Sequence, residues 1–379
     1  MWKVQLFKLN YDEREVEAVK GVVESGWITM GERTREFENR FEQFLGENSF
    51  ATALSSATAS LHIALLSLGI GINDEVIIPA LTFVADINVV RGVGATPKLA
   101  DCDSYNNWNI SAKTIEEQIT DRTKGVIIVH FAGYPCDMDS IVKLCRDRGI
   151  YLIEDVAHAV GATYKGRACG TFGDFGCFSF FTNKNLSVGE GGMLVTRDRE
   201  LAERAKYYRS HGMSALTLDR HRGRAISYDV VLSGLNYRID EMRSALGIVQ
   251  LSKLEYGNMK RELLTKRYIK NLRGVEGITI PFQNLDNSTS SYHIFVILLD
   301  SSVDREELIL RLREVGIQSS IHYPAFREFT AFRDIGLNSA PIAEDISKRE
   351  LTLPLYPTLK FEDVDFVCEN LIRVLGEIR

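Results

Sequence analysis

The stretch FSFFTNKNLSVGEGGMLVT (178–196) places one lysine, Lys184, in a polar turn between apolar runs, with three glycines close behind it. Asp155 closes the run IYLIED, 29 residues upstream. A lysine amine can form a Schiff base with a carbonyl group, and a carboxylate can keep a pyridine nitrogen protonated so that the ring accepts electrons. A pyridoxal phosphate enzyme requires both roles. The ordinary alternatives are a solvated lysine and an N-cap for VAHAVG, and these two residues alone leave them open. A third element, SSATASLHIALLSLG (55–69), is a Ser/Thr-rich turn opening an apolar helix. Free N–H groups and the positive end of such a helix can hold a phosphate, with Thr58 and the backbone at Ala57 as contacts. Simple capping by Ser56 or Thr58 is the other reading.

The elements around these residues place them at strand ends. EVIIPA (75–80), TPKLADC (96–102), KGVIIVHF (124–131), IYLIEDV (150–156), FGCFSFF (175–181) and GGMLVT (191–196) read as buried strands. Helical patterns lie between several of them, such as DMDSIVKLCRDRG (137–149), with Asp137 able to cap its start and Gly149 to end it. Near-continuous apolar strands alternating with helices predict an α/β fold with a mainly parallel sheet covered on both faces. Sites in such sheets gather at the carboxyl ends of the strands, which is where Asp155 falls. A long helical segment (about 238–273) then leads to YHIFVILLD (292–300), a helix DREELILRLREVG (304–316), SSIHYP and a last helix from about 361. Two domains are expected, a large one over 1–250 and a smaller α/β one over 251–379.

The chain of 379 residues has 45 basic and 51 acidic side chains, a net charge of -6, 45% hydrophobic and 25% charged residues. This is a globular composition without the basic footprint of a nucleic-acid or membrane-surface binder, so an anionic ligand must be held by local groups. The opening MWKVQLFKLNYDEREVEAVK has no apolar signal core, and no run reaches the roughly 18 apolar residues of a membrane span. A cytoplasmic location is the expectation. Six scattered cysteines without a C-x-x-C pair predict buried free thiols, and the seven histidines form no H-E-x-x-H pattern, so no metal site is expected. GVGATP (92–97) has Pro97 where a dinucleotide fingerprint needs its third glycine, and no P-loop pattern occurs.

SSATASLHIAL, ALTFVA, IEDVAHAVGATYKGRACGTFGDFGCFSFFTNKNLSVGEGGMLVT and GLNYRIDEMRSALGIVQLSKLE together resemble the DegT/StrS family of pyridoxal phosphate-dependent sugar aminotransferases. SGWITMGERTREFENRFEQFLG is similar to the start of that family, and 153–196 is the most specific segment. The resemblance implies fold type I of pyridoxal phosphate enzymes, like aspartate aminotransferase. It implies that Lys184 forms the Schiff base and shuttles the proton, that Asp155 pairs with the pyridine nitrogen, and that His158 sits beside the ring's phenolic oxygen. It further implies that Phe83 stacks on the ring, and that Ala57, Thr58 and Ser179 bind the phosphate. Asn236 matches an asparagine that reaches the phosphate of the neighbouring subunit's cofactor, which implies a homodimer with shared sites.

The family moves an amino group, usually from L-glutamate, to a keto-sugar most often carried on a nucleoside diphosphate. Such products serve lipopolysaccharide, other surface polysaccharides or secondary metabolites. DRHRGRAISYD (219–229) is a candidate basic loop for the sugar's charged handle, with Arg222 and Arg224 able to fork onto phosphate oxygens. Arg238 and His322 are further candidate substrate contacts. The competing expectations are a sugar dehydratase, which carries histidine at the lysine position, a regulatory protein on the same scaffold, and a pyridoxal phosphate enzyme confined to amino acids.

Overall fold

A computed structural model describes residues 2–46, 48–214, 227–283 and 288–378. Its first strands are β1 (Phe50–Leu54), β2 (Glu75–Pro79), β3 (Thr96–Ala100), β4 (Thr123–Val129) and β5 (Tyr151–Asp155). Two short strands, β6 (Thr163–Tyr164) and β7 (Arg167–Ala168), precede β8 (Phe175–Ser179) and β9 (Gly192–Thr196). Seven of them form one sheet in the order β1-β9-β8-β5-β4-β2-β3. The run from β8 to β3 is parallel, while β9 is antiparallel to both of its neighbours. All six expected strands are present. β1 was not foreseen, because its sequence FATAL is rich in alanine and carries little of the β-branched signal of a strand.

The helices around the sheet are α1 (Glu13–Ser25), α2 (Glu32–Leu45), α3 (Ala57–Ser67), α4 (Ala85–Gly92), α5 (Ala112–Glu116), α6 (Met138–Arg148) and α7 (Arg199–Arg209). α6 ends at Gly149 in the left-handed region, as expected, since a Cβ is disfavoured there. Asp137 stands at its start but does not cap it. Its carboxylate instead accepts from Ser140 Oγ at 2.6 Å and Tyr164 Oη at 2.7 Å, tying the helix to the β6–β7 hairpin.

α8 (Glu241–Leu272) is a 32-residue helix, about 48 Å long at the usual rise per residue. Asp240 caps it by accepting from Arg243 N at 2.9 Å. Beyond it come β10 (Ile278–Thr279) and β11 (Ser288–Thr289), then β12 (Phe295–Leu299), α9 (Arg305–Glu314), α10 (Pro341–Arg349), β13 (Glu350–Leu353) and α11 (Phe361–Ile378). β10, β12 and β13 form a separate antiparallel sheet, and β11 joins β6 and β7 in a third. Leu264, Tyr268, Leu272, Phe295, Ile297, Leu308, Leu371 and Val374 bury a core distinct from those on the two faces of the large sheet.

This second core also takes in the chain's beginning. Val4 pairs with Ile317, and Leu6 exchanges hydrogen bonds with Gln318 Oε1 and Leu355 N. Residues 3–6 therefore pack against Gly316–Gln318 and Leu355. A buried edge pairing rewards this return, and sequence proximity does not reveal it.

The sheet's topology gathers one set of loops. The ends of β2, β4, β5 and β8 lie on the same edge because these strands are parallel. Leu54 pairs with Gly192 and Ser179 pairs with Gly192, so the end of β1 and the start of β9 arrive at that edge too. All six described cysteines are buried and unpaired. Among the described residues, no helix is long and apolar enough to cross a membrane.

Candidate active site

At that edge lies a cavity of about 410 Å³, a size in the range of small-molecule sites. Its walls include Ala57, Thr58, Phe83, Asp155, His158, Ser179, Lys184 and His322, eight of the twelve residues singled out from the sequence. Arg238 and Asn236 are not on its walls. Arg238 pairs with Leu54 through the backbone, and Asn236 is exposed and pairs with Ser210. Arg222 and Arg224 lie outside the described residues.

β5 separates two adjacent acids by the alternation of side chains along a strand. Glu154 is fully buried and accepts from Gly170 N, Phe172 N and Gly173 N at 2.7, 2.7 and 2.8 Å. It organises the loop between β7 and β8. Asp155, 6% exposed, lines the cavity and accepts from Ala157 N at 2.7 Å. That bond turns the chain, but no helix follows, so the expected alternative of an N-cap for VAHAVG does not describe it. Burial pushes the Asp155 carboxyl above its ordinary range, while the Ala157 N–H and the nearby Lys184 act in the opposite sense.

Lys184 occupies a turn clamped from both sides. Its backbone N–H bonds to Phe181 O at 2.9 Å, and Val188 N bonds to Phe180 O at 2.9 Å. Next to it, Asn185 Nδ2 donates to Asn258 Oδ1 and Ser291 O, both at 2.8 Å, and Asn185 Oδ1 accepts from His293 Nδ1 at 2.9 Å. These bonds fix the turn to α8 and to the segment before β12, so the lysine is held at the cavity wall. Burial lowers its amine from 10.5 to about 8, and Asp155 partly offsets the shift.

α3 begins at the cavity. Ser56 is its N-cap, its Oγ accepting from Ala59 N at 3.1 Å, which leaves Thr58 exposed on the cavity wall. The first turn of α3 carries no acidic residue to neutralise its positive end. Gly192 is required beside it, because a Cβ there would meet Ser56 O at 2.5 Å and Ala57 N at 2.6 Å. The start of β9 thus presses directly on the helix N-terminus, with Ser179 opposite on β8. Phe83 presents its ring to the cavity with 54% exposure, so packing in the core is not its role.

A group of rings from the C-terminal part closes the opposite wall. His158 Nδ1 accepts from Ala132 N at 3.3 Å, which leaves its Nε2 to donate to Tyr323 Oη at 2.9 Å. The Tyr323 hydroxyl then keeps its own proton for the cavity. Burial, then Lys184, then His322 hold the imidazole of His158 well below its usual range, in keeping with this neutral form. His322 is anchored by its N–H to Glu350 Oε2 at 2.7 Å and by Nδ1 to Thr352 Oγ1 at 2.8 Å. Tyr323 was missed in the sequence. The signal was its place beside His322 in SSIHYP, but a tyrosine there reads equally as core packing.

The site fits pyridoxal phosphate. An unneutralised helix start with Thr58 and Ser179 suits a phosphate, an exposed aromatic face suits a planar ring, and a buried acid and an amine of lowered basicity suit its nitrogen and its aldehyde. Asn183 Oδ1 is also buried in the cavity wall without a hydrogen-bond partner.

Comparison with known proteins places this geometry. Residues 10–372 match the DegT/DnrJ/EryC1/StrS aminotransferase family. The chain is similar to the spore coat polysaccharide biosynthesis protein SpsC of Bacillus subtilis (strain 168), with 37% identity over 368 residues, 94% of this chain and 93% of that one. It is 35% identical over 370 residues to the GDP-perosamine synthase of Escherichia coli O157:H7, 97% of each chain. Among solved structures, the PLP-form of Spr1654 from Streptococcus pneumoniae superposes with a TM-score of 0.90 at 28% identity, covering 100% of this chain and 99% of that one.

Proposed function

Since the chain belongs to the DegT/DnrJ/EryC1/StrS aminotransferase family and is a pyridoxal phosphate-dependent transaminase of aminosugar biosynthesis, we propose that it moves the amino group of L-glutamate to a nucleotide-linked keto-sugar. The observation that carries the reading is Lys184 and Asp155 lining one cavity at the N-terminus of α3. When bound, the cofactor supplies an electron sink for the carbon that loses or gains a proton. In this reading the N–H groups of Ala57 and Thr58, with the hydroxyls of Thr58 and Ser179, hold its phosphate. Phe83 covers one face of its ring, and Asp155 keeps a proton on its nitrogen. His158 would sit beside the ring's phenolic oxygen, with the Tyr323 hydroxyl bonded to its Nε2. Lys184 Nζ takes the proton from the donor's α-carbon and delivers it to the carbon that receives the amino group, then runs the same transfer in reverse on the sugar.

A lysine at 184 supports transamination over the dehydratase alternative, since the dehydratases carry histidine at that position. The intact set of Lys184, Asp155, Thr58 and Ser179 favours an enzyme over a regulatory scaffold. Six buried, unpaired cysteines suit a reducing cytoplasm. Arg222, Arg224, Arg238 and His322 remain the proposed contacts for the sugar and its charged handle. The large domain, in this reading, holds the cofactor over 1–250, and 251–379 forms the small one.

The purified protein loaded with cofactor is expected to lose its visible absorbance on addition of L-glutamate, with one 2-oxoglutarate released per site. A nucleoside diphosphate keto-sugar should restore it, in a two-stage cycle. An unchanged spectrum with glutamate would remove glutamate as donor. Restoration by 2-oxo acids alone, with every keto-sugar inert, would favour the enzyme confined to amino acids.

The exposed Asn236 lies outside its own chain's cavity, which supports a homodimer in which it serves the partner's phosphate. The expected result is complementation. Lys184→Ala and Asn236→Ala proteins are each weak, but mixing them should raise activity, because every heterodimer contains one site with both residues intact. No gain after verified subunit exchange would place Asn236 outside the site.

A further inference from the structure

Behind Asp155 lies a second acid with no part in the mechanism above. Asp86, on the first turn of α4, is 0% exposed. Its Oδ2 accepts from Thr82 Oγ1 at 2.6 Å, while its Oδ1 is buried with no ordinary donor to bond. The carboxyl of Asp86 faces that of Asp155 within hydrogen-bonding reach. The remaining ionisable groups around the pair are Lys184 and His130 beside Asp155, with Cys177 and Tyr323 against both acids.

Two carboxylates in contact inside a protein cannot both be ionised; the pair shares a proton. The surroundings decide where it sits. Asp155 receives the Ala157 N–H and lies near the Lys184 amine, and both favour its charged form. Asp86 has a hydroxyl on one oxygen and apolar neighbours, Val84, Ala85 and Ile87, in sequence, and it is the more deeply buried of the two. The start of α4 favours a negative charge there, but a helix end contributes less than a full charge at contact distance opposes. Burial and the facing Asp155 push Asp86 well above the usual carboxyl range.

We propose that Asp86 is a positioning residue, a neutral carboxylic acid whose Oδ1–H donates to Asp155 and holds it as an ionised, oriented acceptor for the cofactor's ring nitrogen. The inference rests on the assignment of Asp155 to that nitrogen. Asp86 never touches the cofactor; it fixes the carboxylate that does. Without its donor, Asp155 loses one of the bonds that favour its charge, becomes the stronger base, and draws the ring nitrogen's proton onto its own oxygen. Asn at 86 keeps a donor of the same shape, whereas Ala removes it.

The test compares wild type, Asp86→Asn and Asp86→Ala. In protein free of cofactor, the infrared difference between wild type and Asp86→Asn at neutral pH is expected to show the loss of a neutral-acid carbonyl band. Loss of carboxylate bands alone overturns the proposal. In protein loaded with cofactor labelled with ¹⁵N in its ring, the nitrogen should carry its proton at neutral pH in wild type and Asp86→Asn, and shift toward the unprotonated form in Asp86→Ala, where the more basic Asp155 takes the proton. The glutamate half-reaction should fall by about 10-fold in Asp86→Ala and recover to within about 3-fold in Asp86→Asn, as a lost hydrogen bond to a charge requires. Identical ¹⁵N titrations in all three proteins overturn the proposal even if activity falls. Should wild type bind no cofactor, the proposed function fails while the infrared result still decides the state of Asp86.

Discussion

Lys184→Ala is expected to reduce the glutamate half-reaction by at least about 10⁴-fold, the upper range for loss of a positioned acid–base group, with loss of covalent attachment besides. Lys184 is the sole lysine or arginine among the described residues that line the cavity, so no second amine stands ready to take its place. Lys184→Arg should be equally inactive, because a guanidinium does not give up its proton near neutral pH. The pH dependence is specific as well. Burial lowers the amine from 10.5 to about 8, so the neutral, attacking form increases as pH rises and becomes the major form above about 8. The rate at which cofactor-free protein captures the cofactor should therefore climb and level off near that pH, whereas a solvated lysine would continue to climb by more than two further units. Asp155 raises the lysine value, so its removal should shift the curve to lower pH. Mass spectrometry after borohydride reduction checks attachment, and stopped-flow absorbance checks the curve. An unfolding temperature at or above that of wild type would separate the loss from misfolding, since removing a buried amine relieves a desolvation cost. Normal turnover by Lys184→Ala would end the assignment.

The parts of this site legible in the sequence are those set by strand ends. Asp155 closes the apolar run IYLIED, and parallel strands bring such ends to one edge whatever the loops do, whereas Ser179 stands inside FGCFSFF and is marked only by the family resemblance. Ala57 and Thr58 were legible because a Ser/Thr turn before an apolar helix has few readings, although Ser56 proved to be the cap. The residues that escaped depend on contacts between distant segments. Tyr323 meets His158 across 165 residues, and nothing within SSIHYP records that encounter. Asp86 reads as an ordinary first-turn acid, favourable at any helix start, until the fold places it against Asp155. The return of Val4 to the C-terminal core is of the same kind. Periodicity encodes which face a residue presents, and the partner waiting there is decided by topology.

The neighbouring acids of β5 allow the sharpest separation of fold from chemistry. Asp155→Ala is expected to lower the rate of the glutamate half-reaction by about 10³-fold, corresponding to the roughly 3–5 kcal/mol lost when one member of a buried ion pair is removed. The argument is electrostatic: the ring withdraws electrons from the reacting carbon strongly only while its nitrogen is protonated, and a proton held in a buried site needs a carboxylate beside it. Asp155→Asn should fare little better, since an amide carries no charge to hold the proton. Cofactor retention should weaken in both, measured by dialysis against a competing binder. Glu154→Gln provides the contrast. Glu154 faces away and satisfies three backbone N–H groups of the loop 170–173, so its loss should lower the unfolding temperature and leave turnover per folded, loaded site near wild type. Wild-type turnover in Asp155→Ala would remove that residue from the ring nitrogen, and with it the premise for Asp86. A stability loss in Asp155→Ala equal to that of Glu154→Gln, with turnover per loaded site preserved, would make both acids elements of the fold alone. Their alternation along one strand makes the two outcomes separable, because each substitution reaches only one face of the sheet.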